Sequence, residues 1–192
     1  MSEADARKWD AKYTQRARTI APPSPFVLEL LARLPSAGRC LDVAGGSGRN
    51  ARPLAVHGLQ VTIADASRVG LEIAEREARE AGLRIATVCR DIERDGLPSG
   101  RFDVIVQIHF LHRPLFEAYT AALVPGGLLL LEHPTRRNLE RHARPPIQWL
   151  LEEGELASQL AEHAPGLEVL ACREGWGPAG RHAARLLARR PG

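Results

Sequence analysis

The chain has 192 residues, of which 44% are apolar and 26% are charged. This balance is ordinary for a globular protein and excludes wholesale disorder, and the length predicts a single domain. The net charge is only +3, with 26 basic and 23 acidic residues spread along the whole chain. We therefore expect no nucleic-acid partner.

Two further features bear on where the protein works. The longest apolar runs, such as 128–131, are far shorter than the ~20 residues that cross a bilayer, and the first thirteen residues do not have the pattern of a signal peptide. Cys40, Cys89 and Cys172 are widely spaced and each adjoins an apolar run, as buried reduced thiols do. These features predict a cytoplasmic protein without membrane association or a metal site, and they leave its oligomeric state open.

Short apolar runs alternate with helical patterns from about residue 38 to residue 133. The predicted strands cover residues 39–43, 60–64, 84–89, 102–108 and 128–132. The predicted helices cover residues 50–57, 69–81 and 115–123. Because parallel neighbours need crossover connections, this alternation predicts an α/β fold with a doubly wound, mostly parallel sheet.

The two ends of the chain complete this sheet. Ser24 followed by Pro25 is a typical helix start. The predicted elements outside the core are a helix over 26–34, a helix over 150–162 and strands over 167–172 and 182–188. The last two strands have no helix between them, so they predict an antiparallel hairpin at the edge of a seven-stranded sheet. We expect one domain made of an N-terminal segment (1–37), a core (38–134) and a C-terminal part (135–192).

A glycine-rich loop follows the first predicted strand and leads into a helix. It reads A-G-G-S-G over 44–48. Such a loop lets a ligand approach the backbone and reach the N–H groups at the start of the helix. The spacing alone is ambiguous, because Gly46, Gly48 and Ala51 also satisfy the fingerprint of a dinucleotide-binding fold.

Three acids lie at the ends of three neighbouring predicted strands. Asp42 is inside the first strand, where a dinucleotide-binding strand is normally apolar, and its carboxylate can pair with a cation. Asp65 ends the second strand, where a carboxylate can accept from both hydroxyls of a ribose, and Asp91 follows the third, where it can accept from the amine of a base. This set fits a ribose, an adenine and a cationic amino-acid tail, which points to S-adenosylmethionine. A helix cap is the alternative for Asp65 and Asp91.

Five segments occur in a fixed order along the chain. They are L-D-V-A-G-G-S-G-R-N from Leu41, I-A-D-A-S from Ile63, C-R-D-I from Cys89, F-D-V-I-V-Q-I-H from Phe102 and L-V-P-G-G-L-L-L-L-E from Leu123. This set resembles the motifs of the class I S-adenosylmethionine-dependent methyltransferases over roughly 9–189, although Ala44 stands where many members have glycine. Within the class, W-D-A-K-Y from Trp9, E-E-G-E-L from Glu152 and the R-L-L-A-R-R ending are similar to the small tellurite-resistance and thiopurine-type methyltransferases.

The resemblance implies methyl transfer from S-adenosylmethionine to a small-molecule acceptor, with S-adenosylhomocysteine as the product. It implies that the glycine loop lines the cofactor, that Asp65 holds its ribose, and that Asp91 and Ile92 flank its adenine. Residues 107–109 would form the floor under its methionine part. The cofactor-binding residues that we expect are Trp9, Tyr13, Asp42, Ala44, Gly45, Gly46, Gly48, Asn50, Asp65, Ala66, Ser67, Asp91, Ile92, Gln107, Ile108 and His109.

Two histidines are candidates for a catalytic role. His109 and His112 follow the fourth predicted strand, where the acceptor should arrive, and either could act as a base near neutral pH. A base is needed only if the acceptor must lose a proton, and packing, capping or exposure to water is the alternative for both. Arg113 could attract an anionic acceptor or simply open the next helix. The arginine- and proline-rich segment 135–149 could shape the acceptor pocket or be a surface loop.

Trp9 and Tyr13 are four residues apart, so they share one face if the N-terminus is helical. They could form an aromatic lid that excludes water from the cofactor, or a helix that only docks on the core. Two other functions stay open from the sequence. One is a non-catalytic S-adenosylmethionine-binding protein, and the other is an NAD(P)-dependent oxidoreductase that uses the glycine spacing.

Overall fold

The structure is a computed structural model that describes residues 3–15 and 21–192, with side chains from Ala6 onward. The strands are β1 (Arg39–Val43), β2 (Gln60–Asp65), β3 (Ile85–Cys89), β4 (Phe102–Ile108), β5 (Leu123–Pro134), β6 (Glu168–Trp176) and β7 (His182–Arg189). The helices are α1 (Glu3–Gln15), α2 (Pro25–Leu30), α3 (Ala51–Val56), α4 (Arg68–Glu80), α5 (Ile92–Asp95), α6 (Phe116–Ala122) and α7 (Glu155–His163). Within the described ranges, no helix has the length and apolar character needed to span a bilayer.

All seven strands form one sheet in the order β3-β2-β1-β4-β5-β7-β6. Neighbouring strands are parallel except at β7, which runs antiparallel to β5 and to β6. The predicted α/β fold, with a mostly parallel seven-stranded sheet and a C-terminal antiparallel hairpin, is confirmed.

The direction of winding reverses between β1 and β4. The chain moves outward from β1 through β2 to β3 and then returns to the other side of β1 as β4. The loops after two adjacent strands therefore leave in opposite directions, and a crevice opens at their carboxyl ends. Ligands of doubly wound sheets bind at this place.

Both faces of the sheet are covered by helices. On one face, α6 and α7 pack their apolar side chains on the sheet, and on the other face α2, α3 and α4 do so. Strand β4 lies in the centre, and Val104, Ile105 and Val106 are fully buried. Burial of one such aliphatic side chain contributes ~1.5–3 kcal/mol, which explains why this strand is apolar on both faces.

The helix expected over 26–34 is shorter than predicted. The Oγ of Ser24 accepts a hydrogen bond from the N–H of Phe26 (3.1 Å), as the Ser-Pro pattern indicates. However, α2 ends at Leu30 and continues as a single 3₁₀ turn over Leu31–Arg33. The start was therefore predicted correctly, and only the end was wrong.

Three later boundaries also differ from the sequence prediction, and one of them is the end of β6, which lies at Trp176 and not at residue 172. Strand β5 begins at Leu123 and not at Leu128, because an irregularity in its pairing with β4 absorbs the Pro-Gly-Gly step. Helix α7 begins at Glu155 and not at Leu150. The N–H of Leu151 donates to the carbonyl of Pro134 (3.1 Å), which keeps this part of the chain extended.

The cysteines are all free thiols, but they are not all buried. Cys40 lies in the core, as predicted. Cys89 and Cys172 are exposed, so the expectation of buried thiols was wrong for both. Each lies on an outer strand of the sheet (β3 and β6), where one neighbouring strand is missing and an adjacent apolar run does not guarantee burial.

Candidate active site

The glycine loop turns at the carboxyl end of β1, beside the crevice. Gly46 and Gly48 have positive φ angles (55° and 77°), and so does Ala44 (53°). The N–H of Ala44 donates to the carbonyl of Ala64 at the end of β2 (2.8 Å). The departure from the family motif at Ala44 therefore keeps a left-handed backbone conformation, which is uncommon for any residue other than glycine.

Asp42 is buried directly beneath this loop. A Cβ on Gly45 would lie 2.6 Å from the Cγ of Asp42, so only glycine permits the close approach. The carboxylate is 1% exposed, and among the described residues neither of its oxygens has a hydrogen-bond partner. Loss of hydration raises the pKa of Asp42 to about 7; Arg49 and the nearby N–H of Ala51 oppose this rise, and Asp65 adds to it. Such a group is costly to bury unless a cation meets it.

Asp65 holds the loop to the end of β2. Its Oδ2 accepts from the N–H of Gly46 (2.9 Å), and its Oδ1 accepts from the N–H of Ser67 (2.8 Å). Burial raises the pKa of Asp65, while these N–H groups counteract the rise. Each carboxylate oxygen can accept more than one hydrogen bond, so Asp65 can anchor the loop and still accept from ribose hydroxyls.

The start of α4 is tied to α1. Ser67 caps α4, since its Oγ accepts from the N–H of Gly70 (3.0 Å), and the same hydroxyl donates to the carboxylate of Asp10 (2.5 Å). Asp10 also accepts from the N–H of Val69 (3.2 Å). Ala66 lies between Asp65 and this cap. Sequence reasoning missed Asp10, because nothing in an isolated acid on a helix indicates a partner 57 residues away.

Tyr13 of α1 lies on the glycine loop. A Cβ on Gly46 would be 1.8 Å from the Tyr13 hydroxyl, and a Cβ on Gly70 would be 3.0 Å from the Tyr13 ring. Burial, together with the charge of Asp65, raises the pKa of Tyr13, so the phenol stays protonated. The ring of Trp9 is 6.1 Å from that of Tyr13 and is 40% exposed. The structure therefore brings Tyr13 to the predicted site and leaves Trp9 at its rim.

Asp91 and Ile92 follow β3. The Oδ1 of Asp91 accepts from the N–H groups of Glu93 (3.1 Å) and Arg94 (3.3 Å), so the helix-cap alternative is confirmed for this oxygen. Ile92 is buried in the core. A role for either residue next to the adenine stays a prediction.

Three other expected cofactor-binding residues have side chains that are engaged in the fold. The Oδ1 of Asn50 accepts from the N–H of Ser24 (2.9 Å). The Oε1 of Gln107 accepts from the buried hydroxyl of Tyr119. Ile108 packs in the apolar layer beneath α2 and α3. Any contact of these residues with a cofactor stays a prediction.

His109 directly follows β4 at the edge of the crevice. Its φ angle is 62°, and its N–H donates to the carbonyl of Glu132 (2.8 Å). Nη2 of Arg49 lies 3.1 Å from Nδ1 of the exposed imidazole. Partial loss of hydration, together with the charge of Arg49, lowers the pKa of His109 well below its usual value.

The second histidine candidate and its neighbour lie on the next turn. His112 is half-buried and precedes a 3₁₀ turn over Arg113–Leu115, which its side chain does not cap. The Nε of Arg113 is 2.5 Å from the carboxylate of Glu155. Arg113 therefore has a partner within the protein, which weakens the expectation that it attracts an anionic acceptor.

A buried polar cluster lies beside the crevice at the end of β5. The carboxylate of Glu132 accepts from Nε of Arg185 (3.0 Å) and from the hydroxyl of Ser24. The next residue, His133, has its Nε2 2.7 Å from the carbonyl of Trp149, and burial lowers the pKa of His133 to about 4. The sequence did not indicate the pairing of Glu132 with Arg185.

Comparisons with known proteins agree with this geometry. Residues 40–127 match the family described as "Methyltransferase domain". The "Ubiquinone biosynthesis O-methyltransferase" of Coxiella burnetii is 35% identical over 94 residues, which are 46% of this chain and 40% of that protein. The chain thus matches less than half the length of this curated relative.

Solved structures share the whole fold. TehB from Haemophilus influenzae has a TM-score of 0.74 at 20% identity, covering 95% of this chain and 67% of TehB. An S-adenosylmethionine-dependent methyltransferase from Clostridium acetobutylicum has a TM-score of 0.70 at 17% identity, covering 97% and 99% of the two chains. At these identities the similarity shows the fold, and function must be argued from the site.

The fold, the strand-end acids and the domain match all point to one class of protein. Residues 40–127 match a methyltransferase domain, and the chain is similar to class I S-adenosylmethionine-dependent methyltransferases, whose cofactor is S-adenosylmethionine. The residues present fit that cofactor, because the unpartnered carboxylate of Asp42 suits an ammonium group and Asp65 suits a ribose.

Proposed function

We propose that this protein transfers the methyl group of S-adenosylmethionine to a small-molecule acceptor. The observation that carries the proposal is the buried carboxylate of Asp42, which has no hydrogen-bond partner among the described residues and lies against Gly45, where only glycine permits the close approach. S-adenosylmethionine, when bound, supplies a methyl group that is already activated by a sulfonium. The protein therefore needs to bind and orient the reactants and to exclude water from them.

The acids at the strand ends would bind the cofactor by charge and hydrogen bonding. Asp42 would hold the ammonium of the methionine part, Asp65 would accept from the ribose hydroxyls, and Asp91 would lie beside the adenine. Buried carboxylates at these positions would repel the pyrophosphate of a dinucleotide. This charge arrangement favours S-adenosylmethionine over NAD as the ligand.

Helix α1 would exclude water from the reactants. Asp10 fastens the helix to the start of α4, and Tyr13 covers Gly46 of the loop. Holding an acceptor and the methyl group in a near-attack arrangement can supply about 7–11 kcal/mol of the barrier. We propose that Tyr13 belongs to the cofactor pocket and that Trp9 forms its rim.

A small-molecule acceptor agrees with the distribution of charge. Arg113 pairs with Glu155 and Arg189 with Glu168, and such pairing supports a small-molecule acceptor over a nucleic acid. The family match ends at residue 127, before the end of β5 and segment 135–149. These later residues would contribute to the shape of the acceptor pocket. A cytoplasmic location stays part of the proposal.

The proposal is tested by ligand-induced stabilisation and by methyl transfer. S-adenosylmethionine and S-adenosylhomocysteine should raise the melting temperature, and NAD should not. Radiolabelled methyl groups should then appear in at least one member of a panel of thiols, phenols, amines, carboxylates and chalcogen oxyanions. Stabilisation by NAD alone would contradict the proposal. Stabilisation by S-adenosylmethionine without any transfer would favour a non-catalytic binding protein.

A further inference from the structure

Arg49 links the glycine loop to the end of β4. Its Nη1 donates to the carbonyl of Pro22 (3.3 Å), and its Nη2 is 3.1 Å from Nδ1 of His109. Both acceptors are neutral groups, and no carboxylate of the described residues forms an ion pair with Arg49. The crevice therefore contains a guanidinium that, among the described residues, is near Asp42 but forms its hydrogen bonds with neutral groups.

The contact fixes the tautomer of His109. A guanidinium has only donors, so Nδ1 must accept, and the single ring proton of a neutral imidazole must be on Nε2. The backbone holds the ring in place, because the φ angle of 62° is combined with an N–H bond to Glu132. Non-glycine residues in this conformation are concentrated at functional sites. His109 thus presents an N–H donor that is exposed in the crevice.

The charged groups around His109 do not favour a base. Arg49, Arg181 and Arg185 lie near its ring together with His133, and each of them lowers the pKa of His109, in addition to the loss of hydration. The nearby carboxylate of Glu132 is occupied by Arg185 and Ser24. This side of the crevice therefore offers positive charge and a hydrogen-bond donor.

We propose that Arg49 and the Nε2–H of His109 bind the methyl acceptor as an anion, which reacts without losing a proton to the protein. The inference rests on the proposed function. A lone pair on the anionic sulfur or oxygen of the acceptor forms the bond to the methyl carbon. The bond between that carbon and the sulfonium breaks, and its electrons become a lone pair of the thioether. A neutral methylated product and S-adenosylhomocysteine result, and no proton moves.

The first test uses acceptors of graded acidity. Thiophenol and 4-nitrothiophenol are the anionic probes, aniline is the neutral one, and labelled S-adenosylmethionine is the methyl donor. For the thiols, kcat/KM should rise with pH through the pKa of each thiol, so the profile should move with the acceptor. A profile that stays at one pKa for both thiols would overturn the inference, and so would transfer to aniline without transfer to either thiol.

Variants of Arg49 and Arg52 test whether Arg49 binds the acceptor or has only a structural role. Arg49→Gln should raise KM for the thiophenols about tenfold or more, and leave the affinity for S-adenosylmethionine within about twofold. Arg52→Gln, on the outer face of the same loop-helix segment, should change neither. Weaker S-adenosylmethionine binding by Arg49→Gln with an unchanged KM for thiols would mean that Arg49 serves the carboxylate of the cofactor, and would overturn the inference.

Variants of His109 distinguish a hydrogen-bond donor from a catalytic base. His109→Gln keeps an N–H donor and should retain most of kcat, whereas His109→Ala should raise KM for the thiols. Loss of kcat by about a hundredfold or more in His109→Gln, with normal cofactor affinity, would identify a base and overturn the inference.

A spectroscopic measurement is independent of any acceptor. In ¹⁵N-histidine NMR of the S-adenosylhomocysteine complex, His109 should stay neutral with its proton on Nε2 from about pH 5 to pH 8. In Arg49→Gln the preference for a proton on Nε2 should weaken because Nδ1 loses its donor, while the pKa stays below its ordinary value because loss of hydration is the main cause. Binding of S-adenosylhomocysteine together with a proton on Nδ1 would overturn this inference alone. Absence of binding would instead be a failure of the proposed function.

Discussion

At the scale of single residues, the carboxylate of Asp42 should make the free protein sensitive to pH near neutrality. Burial raises its pKa from 3.8 to about 7, so the folded chain keeps a proton that the unfolded chain releases. Unfolding is therefore favoured progressively as the pH rises from about 4 to about 7. Above this pH range, the ionised carboxylate of Asp42 lowers the free energy of unfolding by at most about 4 kcal/mol.

Denaturation by urea at pH 5 and at pH 8 measures this effect. Asp42→Asn removes the ionisable group, so it should be more stable than the parent protein at pH 8 and closer to it at pH 5. Asp103→Asn is the matched control, because Asp103 lies on β4 and accepts from the N–H of Arg39 away from the loop. Equal stability differences at both pH values would contradict the burial of an unpartnered Asp42.

Gly45 carries a second prediction at this scale. In Gly45→Ala the new Cβ would meet both Asp42 and a methyl group of Ile63 within 3 Å, so the loop must shift. We expect a loss of stability of ~1–3 kcal/mol and weaker binding of S-adenosylmethionine. Gly175→Ala on β6 is the control, since nothing lies within 4 Å of its Cβ position. Thermal unfolding with and without S-adenosylmethionine checks both variants, and an unaffected Gly45→Ala would mean that the loop has room here.

At the scale of elements, Asp10 holds α1 to the start of α4, and this contact can be removed. Asp10→Ala deletes the acceptor for the Ser67 hydroxyl and for the N–H of Val69. We expect a loss of ~0.5–2 kcal/mol, faster hydrogen exchange in α1 and weaker cofactor binding. Lys8→Ala on the same helix is exposed and should leave all three unchanged. Unchanged exchange in Asp10→Ala would show that α1 is held by other groups.

The same scale shows which parts of the fold could be predicted from the sequence. The strands of the core, the Ser24 cap and the glycine loop have local signals, because apolar runs, capping residues and glycine spacing depend on adjacent residues. Residues 150–154 were predicted as helix and are not, because Leu151 bonds to Pro134 across the structure. Local periodicity cannot indicate such a bond.

Only part of the candidate site could be predicted from the sequence. Asp42 and Asp65 could be located because a strand end can be read directly from the sequence. The bonds from Asp10 to Ser67 and from Arg49 to His109 join residues 57 and 60 positions apart, and only the folded topology brings them together. The residues that would control the acceptor are of this second kind, which is why the sequence left the acceptor open.

At the scale of the whole molecule, the pair of Glu132 and Arg185 joins the parallel part of the sheet to the antiparallel strand. The two residues face each other across β5 and β7, and Ser24 connects the N-terminal segment to the same carboxylate. Because both charges are buried, Glu132→Leu should cost ~3–5 kcal/mol by leaving Arg185 unpaired. The double variant Glu132→Leu/Arg185→Met should recover part of that loss.

Glu168→Leu is the control for this prediction, because Glu168 and Arg189 form an exposed ion pair across β6 and β7. Loss of this exposed ion pair should lower the free energy of unfolding by no more than ~1 kcal/mol. Urea denaturation monitored by far-UV circular dichroism gives all these values. If Glu132→Leu and Glu168→Leu cost the same, the buried pair does not have the importance that its position indicates.

The central claim is that the carboxylate of Asp42 receives the cationic part of S-adenosylmethionine, and calorimetric titration at about pH 8 tests it most directly. The parent protein and Asp103→Asn should bind S-adenosylmethionine with similar affinity. Asp42→Asn should bind at least ~10-fold more weakly, equivalent to about 1.4 kcal/mol. Equal affinity of Asp42→Asn and the parent protein, or binding of NAD in place of S-adenosylmethionine, would contradict the account.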